Sequence, residues 1–192
     1  MYVAILLKWS LMNALPVLTD VPVLQTPRLV LRAPAVTDFP AFLSYSTSER
    51  SRFVGGPKPR HAAFEKFAGM IGHWALRGFG RFVMTGRTSG EALGHVGPLQ
   101  LDDAVLPELT WTLWSEAAEG KGLAFEAAQA ANSWFFDSFG CKEAMAEVQR
   151  ENRRSHALAE RLGGVVWTDG PKGWMDDGVV YRFRAEVCDI VK

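Results

Sequence analysis

Leu109-Thr110-Trp111-Thr112-Leu113-Trp114, followed shortly by Glu119-Gly120-Lys121-Gly122-Leu123-Ala124, decides how the chain reads. The first stretch is rich in β-branched and aromatic residues, which suit a pleated surface, and predicts a strand. Past the glycines, Leu123, Ala127, Ala130, Ala131, Trp134 and Phe135 recur at helical spacing and predict a long amphipathic helix. A helix N-terminus carries unpaired N–H groups and the positive end of the peptide dipoles, and glycines let an anion approach that backbone closely. Strand, glycine loop and helix together predict a phosphate or pyrophosphate cradle. Two nucleotide loops do not fit it. The pattern Gly-x-x-x-x-Gly-Lys-Ser/Thr fails because Gly120-Lys121 is followed by Gly122 and Leu123, and Gly-x-Gly-x-x-Gly/Ala needs a small residue at Phe125, whereas here it falls at Ala124.

The block from Glu116 to Gly164 resembles the acetyl-coenzyme A core of the GNAT acetyltransferase superfamily, closest to its branch of ribosomal-protein N-terminal (RimJ/RimL-like) and related amine acetyltransferases. The family loop reads Gln/Arg-x-x-Gly-x-Gly/Ala, and Glu119 to Ala124 match it at Gly122 and Ala124. Glu126-Ala127 stands where that branch often has Glu-Ala. Downstream, Glu151-Asn152-Arg153-Arg154-Ser155, then Leu158, Leu162 and Gly163, looks like the second signature, an Asn-x-x-Ser helix start ending in Leu-Gly. Two signatures in this order and at this separation are more specific than either alone. A weaker resemblance extends from Leu24 to Val187. Three positions depart from the pattern: Glu119 replaces Gln or Arg and sets a carboxylate near the expected pyrophosphate, Ala159 stands where many relatives carry a catalytic tyrosine, and Gly164 replaces a common phenylalanine. The Glu119 charge opposes such a ligand unless it points away or pairs with Lys121 or an arginine.

The resemblance implies an α/β fold of α+β type, GNAT-like, with a mixed, mostly antiparallel sheet of about six to seven strands flanked by about four helices. It implies acetyl transfer from acetyl-coenzyme A, as cosubstrate, directly to a primary amine. A protein N-terminus, a polyamine, an amino acid and an antibiotic all remain open as acceptors. Backbone N–H groups of Gly120, Lys121, Gly122, Leu123 and Ala124 are expected to hold the pyrophosphate, with Lys121 as a supporting charge. Leu113 and Trp114 then lie along the pantetheine arm, and an N–H on their strand is the expected oxyanion donor. Asn152 has the donor and acceptor to hold the pantetheine amides, although a helix N-cap uses the same side chain. Ser155 is the candidate to protonate or hydrogen-bond the departing thiolate, and Glu108 the candidate general base. His95 and His156 are further proton carriers without an assigned role. A non-catalytic acyl-coenzyme A sensor, favoured by Ala159, and a doubly wound nucleotide-binding enzyme are the competing readings.

Composition agrees with one enzyme domain. The 192 residues suffice for a full core, and 21 acidic against 21 basic residues give no net field for nucleic acid. Cys141 and Cys188 lack metal or redox spacing, and no His/Cys cluster suggests a metal. Residues 1–20 read as an N-terminal extension and 21–192 as the domain. The apolar run Met1–Leu7 falls short of the roughly 20 residues of a membrane span, and no signal-peptide pattern is clear, so a cytoplasmic location is expected. A homodimer is left open.

The remaining pattern alternates. Strands are predicted at Arg28–Arg32, Arg81–Arg87, Ala92–Leu99 and Lys142–Gln149, with a closing antiparallel pair at Val165–Thr168 and Val179–Val187. Helices are predicted from the caps Thr37 and Asp38 to about Ser46, along the stripe Phe64, Phe67, Ala68, Ile71 and Trp74, and over Asn152–Leu162. Gly55–Pro59 and Asp169–Gly178 read as loops, the first bordering the acceptor pocket by the resemblance. Trp74, Trp111 and Trp134 read as core. Trp114, Trp167 and Trp174 read as nearer the ligands.

Overall fold

Alternating apolar runs pair into one sheet. In the computed structural model, which describes residues 18, 20–171 and 173–185, eight strands run β1 (Leu24–Gln25), β2 (Leu29–Arg32), β3 (Phe82–Gly86), β4 (Ala92–Leu99), β5 (Glu108–Leu113), β6 (Glu143–Gln149), β7 (Val165–Val166) and β8 (Gly178–Arg184). Their spatial order is β1-β2-β3-β4-β5-β6-β8-β7, and every neighbouring pair is antiparallel except β5–β6. Four α-helices cover the sheet among the described residues: α1 (Phe39–Ser46), α2 (Arg60–Arg77), α3 (Leu123–Phe139) and α4 (Arg153–Arg161). The strand count exceeds the expected six to seven because β1, with two residues, is too short to show a period in the sequence.

Both faces of the central strands are buried. Phe82 and Met84 of β3 join Leu29, Leu31 and the α3 alanines Ala127, Ala128 and Ala131 in one cluster, while Val83 between them joins Phe42 of α1 and Phe67 of α2 in another. Side chains of period two under helices on either side explain why β3 reads as a continuous apolar run. A third cluster, with Leu109, Phe135, Ala144, Ala146, Ala159 and Phe183, packs α3 and α4 onto β5, β6 and β8. Asp38 does not cap α1 by a side-chain bond. Its carboxylate instead takes Arg32 at 2.7 and 2.8 Å and the Ala35 N–H at 2.9 Å, pinning the helix entry to β2.

The sequence expectations for Met1–Leu7 and Cys188 lie outside the described residues, and Leu18 already packs against the first core cluster. Among the described residues no helix is long and apolar enough to cross a membrane, and no cluster of metal-ligating side chains occurs.

Candidate active site

The one parallel contact in the sheet is short. Glu108 of β5 opposes Met145 of β6, and the Met145 N–H donates to the Pro107 carbonyl at 2.9 Å; no further residues of the two strands pair. Beyond Glu108 the strands open into a wedge. The Trp114 N–H donates to Leu93 O at 2.7 Å, which fixes the phase of the β4–β5 ladder. Residues 108, 110 and 112 therefore turn their backbone groups toward β4, and the N–H groups of Trp111 and Leu113 point into the wedge with no strand opposite.

At the outer end of the wedge lies the glycine loop. Gly120 and Gly122 adopt φ of +71° and +74°, a region L side chains avoid, so the loop can turn into α3 only with glycine there. Gly122 is the N-cap of α3, and the first intrahelical bond runs from the Glu126 N–H to Gly122 O. The N–H groups before Glu126 stay free for an outside acceptor. A hollow of about 220 Å³ opens there, lined by Leu113, Gly120, Gly122, Leu123 and Ala124, and across it by Arg154 and Arg161 of α4. Lys121 does not line this hollow; it is exposed, and its carbonyl accepts from Arg28 Nη1 at 2.8 Å. The cations facing the hollow are thus Arg154 and Arg161, neither of which was chosen from sequence. Arg154 stood inside the quoted signature, and its seven-residue offset to Arg161, two helical turns, was the available signal.

Two ion-pair systems hold the loop. Glu126, in the first turn of α3, accepts from Thr26 Oγ1 at 2.6 Å, Arg28 N at 2.9 Å and Arg28 Nε at 2.6 Å, which ties the helix start to the turn before β2. Glu119 takes Arg50 Nη2 at 2.5 Å and also Arg154. Burial pushes its carboxyl up, but the two arginine hydrogen bonds outweigh that and hold it below the ordinary value. The unusual glutamate is therefore paired with arginines on both sides. Arg50 also donates to the carbonyls of Trp114 (2.5 Å) and Leu113 (3.4 Å), so the 3-10 helix Glu49–Val54 is stitched to the end of β5. Trp114 has each polar group engaged inside the protein: its N–H with Leu93, its carbonyl with Arg50, and its buried indole N–H with His95 Nδ1 at 2.9 Å.

At the inner end of the wedge is a cavity of about 260 Å³, which Glu108, Thr110, Trp111 and Thr112 of β5 border together with Asn152 and Ser155 at the start of α4. Asn152 caps α4 through a 3.3 Å bond from the Ser155 N–H to its Oδ1, leaving its amide NH₂ without an intrahelical task. Ser155 Oγ accepts from the Trp111 indole at 3.3 Å. Trp111, read as core, thus also supplies a polar wall to the cavity. His156 instead bonds Tyr181 Oη at 2.8 Å and Arg150 O at 3.2 Å and does not border the cavity. Ala159 is fully buried in the third cluster, and a Cβ on Gly164 would stand 2.6 Å from Phe183 Cζ; Phe183 fills the space a larger residue would need.

The cavity also gathers ionisable groups from five elements. Burial, reinforced by Glu147, pushes the Glu108 carboxyl up to about 7, with Arg81 opposing. Burial pulls Lys66 of α2 down to about 8, helped by Arg81 and Lys58, and its Nζ donates to Val54 O at 3.1 Å. Burial likewise lowers Arg81, just before β3, to about 10. His95 is held well below its usual value by burial and by Arg81 and Lys66, and is neutral at pH 7. Glu147 accepts from the N–H groups of Trp174 (2.6 Å) and Met175 (2.8 Å), fastening the 169–178 loop over the cavity. Lys66, Arg81 and Glu147 were invisible as site residues in the sequence, because nothing local marks them.

The sequence matches the family model for the acetyltransferase (GNAT) domain over residues 28–165. An acetyltransferase from Agrobacterium tumefaciens str. C58 shares 32% identity over 88% of this chain and 98% of its own, with a TM-score of 0.81. A Bordetella pertussis protein described as a GNAT-family acetyltransferase shares 26% over 85% of this chain and 99% of its own, with a TM-score of 0.71. RimL, a ribosomal L7/L12 alpha-N-protein acetyltransferase solved with coenzyme A, shares the fold at 15% identity and a TM-score of 0.69, over 85% of this chain and 98% of its own. The chain belongs to the GNAT superfamily and is an acetyl-coenzyme A-dependent acyltransferase.

Proposed function

We propose that the chain moves the acetyl group of acetyl-coenzyme A to the nitrogen of a primary amine, with the cosubstrate threaded along the wedge from hollow to cavity. The continuity of the two spaces carries this reading: Leu113 borders the hollow and Thr112 the cavity, and on α4 Arg154 and Ser155 do the same. The free N–H groups of Gly120, Gly122, Leu123 and Ala124, with Arg154 and Arg161, suit the pyrophosphate. The Asn152 amide and the Leu113 N–H suit the pantetheine amides. Trp111 or Leu113 N–H is placed to polarise a thioester carbonyl. Lys121 and Trp114 contribute through backbone position rather than as direct ligands.

In the cavity, Glu108 acts as general base. A carboxyl with its pKa near 7 is half ionised at neutral pH and matched to taking a proton from an amine, directly or through water. The amine nitrogen bonds to the thioester carbon and the carbon–sulfur bond breaks. One proton leaves the nitrogen and one is gained by the sulfur. Ser155 keeps its hydroxyl proton free, since its oxygen accepts from Trp111, and that O–H can hydrogen-bond the departing thiolate, which draws its proton from solvent. The test is free-thiol release from acetyl-coenzyme A over a panel of amino acids, peptides, polyamines and aminoglycosides, with the product identified by mass spectrometry. An N-acetyl product formed faster than background hydrolysis supports the reading. Hydrolysis alone across the panel, or an O-acetyl product, contradicts it.

A further inference from the structure

Arg81 is 7% exposed, and its Nε has no hydrogen-bond partner. Among the described residues no ion pair to it is formed, and Glu108 acts on it through space. Buried guanidinium groups without a partner are costly, and native proteins keep them where something completes them. This one borders the cavity, beside Lys66 and Glu108. Glu147, which also borders the cavity, accepts from the Trp174 and Met175 N–H groups and makes no hydrogen bond to Arg81. The inner wall of the cavity therefore presents a fork of donors and an ammonium beside Glu108, with the guanidinium Nε left without a hydrogen-bond partner.

We infer that the acceptor is a small amino carboxylate, whose carboxylate seats on Arg81 and Lys66 while its amine meets Glu108. Guanidinium and carboxylate match in shape as well as charge, and in a water-poor site the match is strong. Leu99, Leu101, Phe53 and Trp174 form the apolar remainder of the wall, which suits a free amino acid with an apolar side chain. The space is also small. Drug-sized sites run roughly 300–1,000 Å³, and this cavity of about 260 Å³ also borders the acetyl end of the wedge. The assignment rests on the reading of the cavity as the acceptor site given above.

The experiment compares matched ligands: phenylalanine, methionine and leucine against their amides and their decarboxylated amines. Thiol release gives kcat/KM for each, and calorimetric titration into protein saturated with coenzyme A gives binding without turnover. With wild-type protein the best amino acid is expected to exceed its amide and amine by about 100-fold. Arg81→Met reduces that preference to within about threefold, with the KM for acetyl-coenzyme A unchanged, and Lys66→Met reduces it partially. If carboxylate-dependent binding is seen and lost in Arg81→Met but no variant turns over, the carboxylate site stands and the transferase reading of the cavity fails. Equal or better use of amides and amines by the wild type, no binding of any of the three amino acids, or a preference that survives both substitutions overturns the assignment.

Discussion

The two ends of the wedge are built in opposite ways. The outer hollow is made from one continuous stretch, Leu113 to Phe125, faced by the neighbouring helix α4. The inner cavity draws Lys66 from α2, Arg81 from before β3, His95 from β4, Glu108 from β5 and Glu147 from β6. One is a local motif whose backbone does the binding, tied down by ion pairs at its rim. The other is a long-range assembly in which burial moves Lys66, Arg81, His95 and Glu108 away from their ordinary ionisation. A binding function common to many acceptors can reside in the first. On the proposed function, choice of acceptor and proton transfer fall to the second.

The difference predicts that substitutions will separate the two functions. The largest effect is at Glu108. Glu108→Gln is expected to lower kcat/KM at pH 8 by about 10³-fold, read by thiol release. The same change should raise stability. A carboxyl whose folded pKa lies above its unfolded value contributes stability below the unfolded value, lost as pH rises through the folded one. From 4.5 in the unfolded chain to about 7 folded, the wild type thus loses about 2–3 kcal/mol over that window. Denaturant unfolding at pH 8 should find the glutamine variant more stable by that order and the two proteins alike at pH 4. Next, wild-type kcat/KM should climb about tenfold per pH unit below 7 and level off above it; a flat profile between pH 5.5 and 7 would remove Glu108 as the base. Ser155→Ala should cost about tenfold in kcat and leave acetyl-coenzyme A binding intact. Smallest is Glu119→Gln, which leaves both arginines in place on a partly exposed site. A stability loss of about 0.5–1 kcal/mol is expected there, falling further in high salt.

Legibility in the sequence followed the same division. Strand β5, the glycine loop and the start of α3 stand within a residue of their expected places, because period-two and period-3.6 patterns and glycine punctuation are all local. The departure at Glu119 was legible as a problem, with an arginine as one remedy, yet which arginines supply it was not. Arg50 lies 69 residues away, in a 3-10 helix that carries no periodic signal. Glu108 could be singled out only from its place at a strand start. Its shifted ionisation depends on Glu147 and Arg81, which reach it through strand order. Trp111 shows the limit from another side: an apolar face predicts burial, but the indole N–H on its rim points to Ser155.

The most direct test of this division is a calorimetric titration of acetyl-coenzyme A into wild type, Gly122→Trp and Glu108→Gln. Gly122 holds a φ of +74° at the mouth of the hollow, so a tryptophan there is both strained and in the way. Affinity is expected to fall by about 100-fold or more in Gly122→Trp and to stay within a factor of about three in Glu108→Gln, which removes a base and no ligand. Wild-type affinity in a folded Gly122→Trp, or a comparable loss in Glu108→Gln, would contradict the separation of cosubstrate cradle from acceptor cavity.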